Sequence, residues 1–291
     1  MIQKKRPKPA KNTPAGMGHP NDHDHTGINM PATLQFDQNF QTFANHLSML
    51  SPSIREIIKF PWWLLFPATY ERKDQAKLSE NERQRFLCAF NILNQNGNLG
   101  QFVEIHGQPV HQMHHTLRFL PWHRIYLVKF EQALRSIHPD VTIPYWDWTQ
   151  AAGQSIPAWL AAVTPTVVTP SRTINVVRAP GISPDLALIA GNTPTAMGRT
   201  DFNSFTGSLE AIHDSVHVWV GGTMSAIPTA PADPIFWMHH ANIDRLWAVW
   251  QKSPQGAGKN PPLAGAAAVM DPYPNTEPDT RDTAGLGYTY A

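Results

Sequence analysis

Residues 233–250, DPIFWMHHANIDRLWAVW, constrain this chain more than any other stretch. Asp233 is a helix-capping residue, and Pro234 suits the first helical position, where the missing N–H has no partner to lose. The helix predicted to follow carries adjacent histidines, His239 and His240, amid Phe236, Trp237, Met238 and Trp247, with Asp244 one turn beyond His240. Imidazole packs less well than a leucine side chain and brings nitrogens that need partners when buried. Such a pair has two explanations: hydrogen-bonded core histidines, or a metal held in an apolar shell.

The other histidines decide between them. Five of the 14 histidines fall between positions 106 and 123: His106, His111, His114, His115 and His123. Gly107 and Pro109 stop a helix just after His106, and Pro121 starts another with His123 in its first turn. On one continuous helix His114 and His123 would face opposite ways. The break lets a loop histidine and a helix histidine converge. Further on, Asp201 opens a helix over DFNSFTGSLEAIHDSVHVWVGG, with Phe202, Phe205, Leu209, Ile212 and Val216 on its buried side and Gly221-Gly222 at its end. His213 and His217, at i and i+4, project from one face, and Glu210 lies three before His213 on the same edge.

Two histidine clusters on four predicted helices, with three plausible ligands each, are a metal-site pattern. A single cysteine, Cys88, excludes an internal disulfide and a multi-cysteine zinc site. Neutral imidazole suits Cu, Zn, Fe and Ni, and the scarcity of carboxylates argues against Mg, Ca, Mn and carboxylate-bridged di-iron. Two facing three-histidine sites suit a copper pair, in which each Cu(I) keeps an open position for O2. Zinc is the metal alternative, although dizinc sites usually add a bridging carboxylate or water. The expected fold is mainly α: a four-helix bundle around a dinuclear copper site, with long loops and few short strands. The formal charge of +1 gives no nucleic-acid groove or membrane-surface patch, and no apolar run reaches transmembrane length.

Residues 1–70 read as an N-terminal extension before a core over 71–291. Residues 1–32 are Pro-, Gly-, Asn- and Lys-rich, a flexible arm whose His19, His23 and His25 can bind copper or zinc weakly. A helix over 37–50, capped by Asp37, and a short one from Ser53 to Lys59 are expected next. PWWLLFP, residues 61–67, is apolar enough to need cover from the core, from a second subunit or at a site entrance. A homo-oligomer through this extension is one expectation. The basic start lacks the apolar region of an ordinary secretory signal, so the chain is read as cytoplasmic or exported by a partner-dependent route. In the core, Ser79 and Glu82 form a capping box for a helix to about Asn94. Asp147 of PYWDW is placed to orient a histidine or arginine. Residues 150–200 read as loops with a strand pair around Thr173–Val177.

These motifs carry a resemblance. H(x8)H ending in FLPWHR, then HxxxHxWVGG, then DPIFWMHHANIDRLWAVW are similar to the two copper signatures of the tyrosinase family of type-3 copper proteins, of bacterial type. RKDQAKLSENE and the closing YTY resemble the start and end of the family's core, so the likeness spans about three quarters of the chain, Arg72 to Tyr290. The resemblance implies one copper (CuA) on His106, His114 and His123 and a second (CuB) on His213, His217 and His240. His111 is a lesser candidate for CuA. The residues alone do not separate His114 from His115 or His239 from His240. The resemblance also implies that Arg72 stacks on Tyr288 or Tyr290. It places the family's water-positioning glutamate at Glu210, and Ile227 over CuA as an apolar gate.

Departures from the family pattern shape the expected activity. Gln112 stands where plant and fungal members often have a cysteine linked to a ligand histidine. Asp214 stands where efficient monophenol hydroxylases often have Asn. Glu210 and Asp214 either hold a water that deprotonates a phenol or orient His213 and His217. Val218, in place of a basic residue, makes the rim less attractive to carboxylated substrates, and Phe236, Trp237 and Ile227 restrict water. The chain ends at the tyrosine motif, where family members with a C-terminal lid continue. The implied activity is ortho-hydroxylation of small monophenols and oxidation of o-diphenols to o-quinones with O2. The alternatives are an o-diphenol or o-aminophenol oxidase, a haemocyanin-like O2 carrier, and a copper-storage protein suggested only by the N-terminal histidines.

Overall fold

The computed structural model describes residues 69–291, so the expectations for the N-terminal arm, its helices and PWWLLFP lie outside the described residues. Helix α1 (Glu80–Gln95) opens at the predicted capping box: Ser79 accepts from the Glu82 amide, and Glu82 accepts from the Ser79 amide at 2.8 Å. Phe86, Phe90 and Leu93 form its buried face. After a left-handed turn at Gly97, α2 (Asn98–His106) ends against Gly107.

Helix α3 (Phe119–Arg135) begins two residues earlier than the sequence suggests. Pro121 sits inside the first turn, where backbone N–H groups have no intrahelical acceptor, so the ring displaces no hydrogen bond. The segment predicted to be loops contains the hairpin β2 (Thr166–Val168) and β3 (Thr173–Asn175), followed by α4 (Ser183–Ala190) and α5 (Thr193–Met197). These two helices are too short for periodicity to reveal and form by packing on α6 (Phe202–Val220). Asp201 caps α6, its carboxylate accepting from the Ser204 amide at 2.9 Å. Helix α7 (Pro234–Lys252) is capped by Asp233, which accepts from Ile235 N at 2.9 Å and receives a two-pronged ion pair from Arg178.

Helices α3 and α7 are buried on almost every side and pack along each other, as helices without a polar face must. With α2 and α6 they form the bundle that carries the histidines. Beside it the first and last strands of the described residues meet: β1 (Tyr70–Arg72) pairs in parallel with β4 (Tyr288–Tyr290). The Arg72 guanidinium stacks 3.7 Å above the Tyr288 ring, as expected, and donates to Glu131 at 3.0 and 3.2 Å. Asp244 sits between this tie and the bundle. It accepts from both tyrosine hydroxyls at 2.6 Å and from the Arg72 and Arg124 guanidiniums.

Candidate metal centre

Four helices and one loop converge their imidazoles in the core of the bundle. His106 ends α2, His123 lies on α3, His213 and His217 lie on α6, and His239 and His240 lie on α7. His114 comes from the α2–α3 loop, where Gln112 and His115 adopt left-handed backbone at φ 46° and 54°. Side-chain-bearing residues rarely sit there, and each costs about 1 kcal/mol or more.

The orientation of three rings is set through Nδ1 by backbone carbonyls. His106 is held by the Ile227 carbonyl at 2.9 Å, His123 by the Phe119 carbonyl at 2.8 Å and His217 by the Met224 carbonyl at 2.8 Å. A ring that donates from Nδ1 to a carbonyl keeps its lone pair on Nε2. The Met224 contact depends on the tight turn at Gly221-Gly222, with φ 68° and 58°; a Cβ on Gly222 would meet the Val177 carbonyl oxygen at 2.1 Å.

The Nε2 atoms point at one another. His106 and His123 are 3.3 Å apart, His213 and His240 3.1 Å, and His217 and His240 3.3 Å. His123 and His240 stack with centroids 4.5 Å apart, which places the two groups side by side. Where both rings donate from Nδ1, facing Nε2 lone pairs repel unless a cation lies between them. Protonated imidazoles do not solve the problem. Burial first, and then repulsion from neighbouring imidazoles, hold His106, His123, His213 and His240 well below the usual histidine range and His114 at about 4. Burial likewise brings His217 to about 4. The donor set therefore fits a metal pair, with imidazoles neutral and lone pairs converging.

His106, His114 and His123 form one compact triad. Two residues compete for the third place in the other. His213, His217 and His239 offer nitrogens that all lie within 4.8 Å of one another. The Nδ1 of His239, however, accepts the Trp148 indole N–H at 3.0 Å, which puts its proton on Nε2 and removes the lone pair there. His240 presents its Nε2 to the Nε2 atoms of both His213 and His217, at 3.1 and 3.3 Å. Nothing local to PYWDW signals the Trp148 contact, conspicuous as the motif is; Asp147 beside it pairs with Arg245 at 2.9 Å.

His111 stands outside both triads: its Nδ1 is 2.6 Å from Asp271, and its ring stacks on Trp122. His115 is exposed, and its backbone N–H donates to Glu210 at 2.6 Å. Glu210 is almost buried, and burial pushes its carboxyl up to about 7 against that hydrogen bond. Asp214 is half-exposed and lies 3.0 Å from the His213 Nδ1.

A cavity of about 200 Å³ opens above the histidines, walled by His106, His114, Asp214, Val218 and Ile227 among others. Val218 and Ile227 are the exposed apolar residues at its mouth, 69% and 45% accessible. Phe236 and Glu210 are not in that wall. Phe236 is fully buried and packs on His106 and His240, with centroids 4.9 and 4.1 Å away, so it forms the floor beneath the rings.

A family model described as the common central domain of tyrosinase matches residues 96–176 and 181–253. A tyrosinase of Streptomyces glaucescens is similar at 32% identity over 258 residues, covering 71% of this chain and 93% of the relative. A tyrosinase of Streptomyces galbus is 33% identical over 276 residues, covering 75% and 98%. Among solved structures, a functional unit from octopus hemocyanin superimposes with a TM-score of 0.67 at 25% identity, over 76% of this chain and 68% of that one.

Proposed function

This chain belongs to the tyrosinase family, and from that premise we propose that it is a dicopper oxidase that hydroxylates monophenols at the ortho position and oxidises o-diphenols to o-quinones with O2. The observation that carries the reading is the convergence of Nε2 lone pairs at 3.1–3.3 Å inside an apolar shell. One copper is assigned to His106, His114 and His123, the other to His213, His217 and His240. Copper bound there supplies O2 activation and the change between Cu(I) and Cu(II).

The chain's own residues do the rest. The carbonyls of Phe119, Met224 and Ile227 fix three imidazole tautomers, so the rings need little reorganisation to bind. The Phe119 and Phe236 rings pack against the histidines and keep water from the floor of the site. Val218 and Ile227 give the phenol ring an apolar mouth. Because the Ile227 carbonyl also holds His106, movement of this gate is coupled to a ligand.

Proton transfer is divided between two carboxylates. Asp214 lines the substrate cavity and orients His213. Glu210 lies behind it and reaches the phenol through water, and a carboxyl titrating near neutrality suits a general base. The second reading, an o-diphenol oxidase without hydroxylase activity, draws on the same contact, since an Asp214 engaged by His213 is less free to hold that water. The resemblance to hemocyanin makes reversible O2 binding a third outcome.

Oxygen uptake by the copper-loaded protein, with L-tyrosine and then L-DOPA, tests the proposal. Uptake and quinone colour with both is expected. Uptake with L-DOPA alone selects the diphenol oxidase. Reversible O2 binding without turnover selects a carrier. We also propose that residues 1–70 modulate access or assembly; removing them should change activity or oligomer size, and no change in either refutes that role.

A further inference from the structure

His114 differs from the histidines around it. The rings of His106, His123 and His217 are each held at Nδ1 by a backbone carbonyl. Among the described residues no hydrogen bond holds the His114 ring, and its triad partners His106 and His123 lie against it with centroids 4.8 and 5.1 Å away. It belongs to no helix, so the backbone of its loop must place it. That backbone is not relaxed: the left-handed residues Gln112 and His115 bracket Met113 and His114. Such conformations persist only where the surroundings over-determine them. Part of the hold is local. Met113 is buried, the Thr116 hydroxyl donates to the Gln112 carbonyl at 2.6 Å, and the His115 N–H donates to Glu210 at 2.6 Å.

The rest comes from far along the chain. Asp271 spends one carboxylate oxygen on each side of His114. Its Oδ2 lies 2.6 Å from the Nδ1 of His111, and its Oδ1 accepts from the Arg118 guanidinium. Both partners are more than nine-tenths buried, so this is not an ordinary surface pair. Arg118 also donates to the Val269 carbonyl at 2.7 Å. The Asp271 carbonyl accepts from the Trp122 indole at 2.7 Å, and the His111 ring stacks on that indole. The turn that carries Asp271 is itself fixed, with Met270 fully buried and its N–H donating to the Asn275 carbonyl at 2.8 Å. Residues 111–118 are thus a loop pinned at both ends by one carboxylate, which removes conformations in which His114 swings away from its triad.

We propose that Asp271 is a positioning residue for His114, one that touches neither the imidazole nor a metal but sets the copper affinity of the His106, His114 and His123 site and leaves the other site unchanged. The inference rests on the dicopper reading. It gives a role to His111, which stands outside both triads: it is the handle by which the loop is held. Groups that support metal ligands change metal affinity by about 10–100-fold when removed, and one that acts through the backbone belongs at the lower end, about tenfold. The Asp271 side chain is 40% exposed, so Asp271→Ala opens no core cavity.

The test uses the full chain and two readouts. In the metal-free protein, hydrogen exchange of the 111–118 segment should quicken by about tenfold or more in Asp271→Ala, while that of α6 should not change. Cu(I) affinity is then measured by competition with a bathocuproine chelator in two backgrounds. His240→Gln keeps the first site intact, and His114→Gln keeps the second. Asp271→Ala should weaken Cu(I) binding by about tenfold in the first background and leave it unchanged in the second. Asp271→Asn, which retains neutral acceptors, should act in the same direction and less. Unchanged exchange, or an affinity change that is absent or equal in the two backgrounds, overturns the proposal. Quickened exchange with no copper bound in either background would instead refute the dicopper reading and leave the pinned loop standing.

Discussion

Asp244→Ala removes the centre of the buried tie beneath the histidines. The carboxylate, 3% exposed, holds the hydroxyls of Tyr288 and Tyr290 at 2.6 Å and the guanidiniums of Arg72 and Arg124. Arg72 keeps Glu131 when the Asp244 carboxylate is lost, but among the described residues Arg124 is left with neutral acceptors, Gln251 and the backbone carbonyls of Thr280 and position 244. Breaking a buried pair from one side costs about 3–5 kcal/mol, and each orphaned hydroxyl adds about 1 kcal/mol or more, not fully additively. A loss near 4 kcal/mol is a large share of the stability of an ordinary domain. At about 2–4 °C per kcal/mol for a domain of this size, the melting temperature should fall by roughly 8–16 °C. Circular dichroism melts of the metal-free protein read this directly. Asp244→Asn, which keeps an acceptor for one tyrosine, should lose less. A fall below about 3 °C for Asp244→Ala would show that the tie is not a main stabiliser of the fold.

The depressed histidines predict acid lability of the metal-free protein. Their folded-state values lie below their unfolded ones, so the unfolded chain binds more protons below about 6.5; stability should be full above that pH and decline as pH falls, which urea midpoints between pH 7.5 and 5 will measure. Glu210 has the opposite sign: its carboxyl is raised from 4.5 to about 7, so its contribution is lost as pH rises through that interval, and Glu210→Gln should gain stability relative to wild type at the upper end. Gly222→Ala should cost more than about 1 kcal/mol, because Gly222 has φ 58° and no room for a Cβ, and should disturb the Met224–His217 contact, seen as weaker copper binding.

Much of the fold and site was legible where chemistry is local. The capping box at Ser79, the caps at Asp201 and Asp233, and the i,i+4 pair His213/His217 depend on neighbours in sequence, and each is found as read. The four histidine-bearing helices followed from caps, from the Gly107, Pro109 and Pro121 breaks and from the spacing of the histidines. Helices α4 and α5 did not, because their few turns are stabilised by contact with α6 rather than by their own pattern. The start of α3 was misplaced because a proline marks the first turn rather than its first residue. Trp148 was invisible for another reason: its contact with His239 joins residues 91 positions apart. Sequence therefore brought both His239 and His240 to the site but could not choose between them from the residues alone. Phe236 was expected in the substrate pocket, yet an apolar residue one turn before His240 falls under the rings.

The most direct test of the dicopper assignment is a count of copper per chain after reconstitution, for wild type, His240→Gln and His239→Gln. Two coppers in wild type, one in His240→Gln and two in His239→Gln are predicted, since the indole of Trp148 already occupies the Nδ1 lone pair of His239. A wild-type protein with one copper or none, or loss of copper from His239→Gln while His240→Gln keeps both, would contradict it.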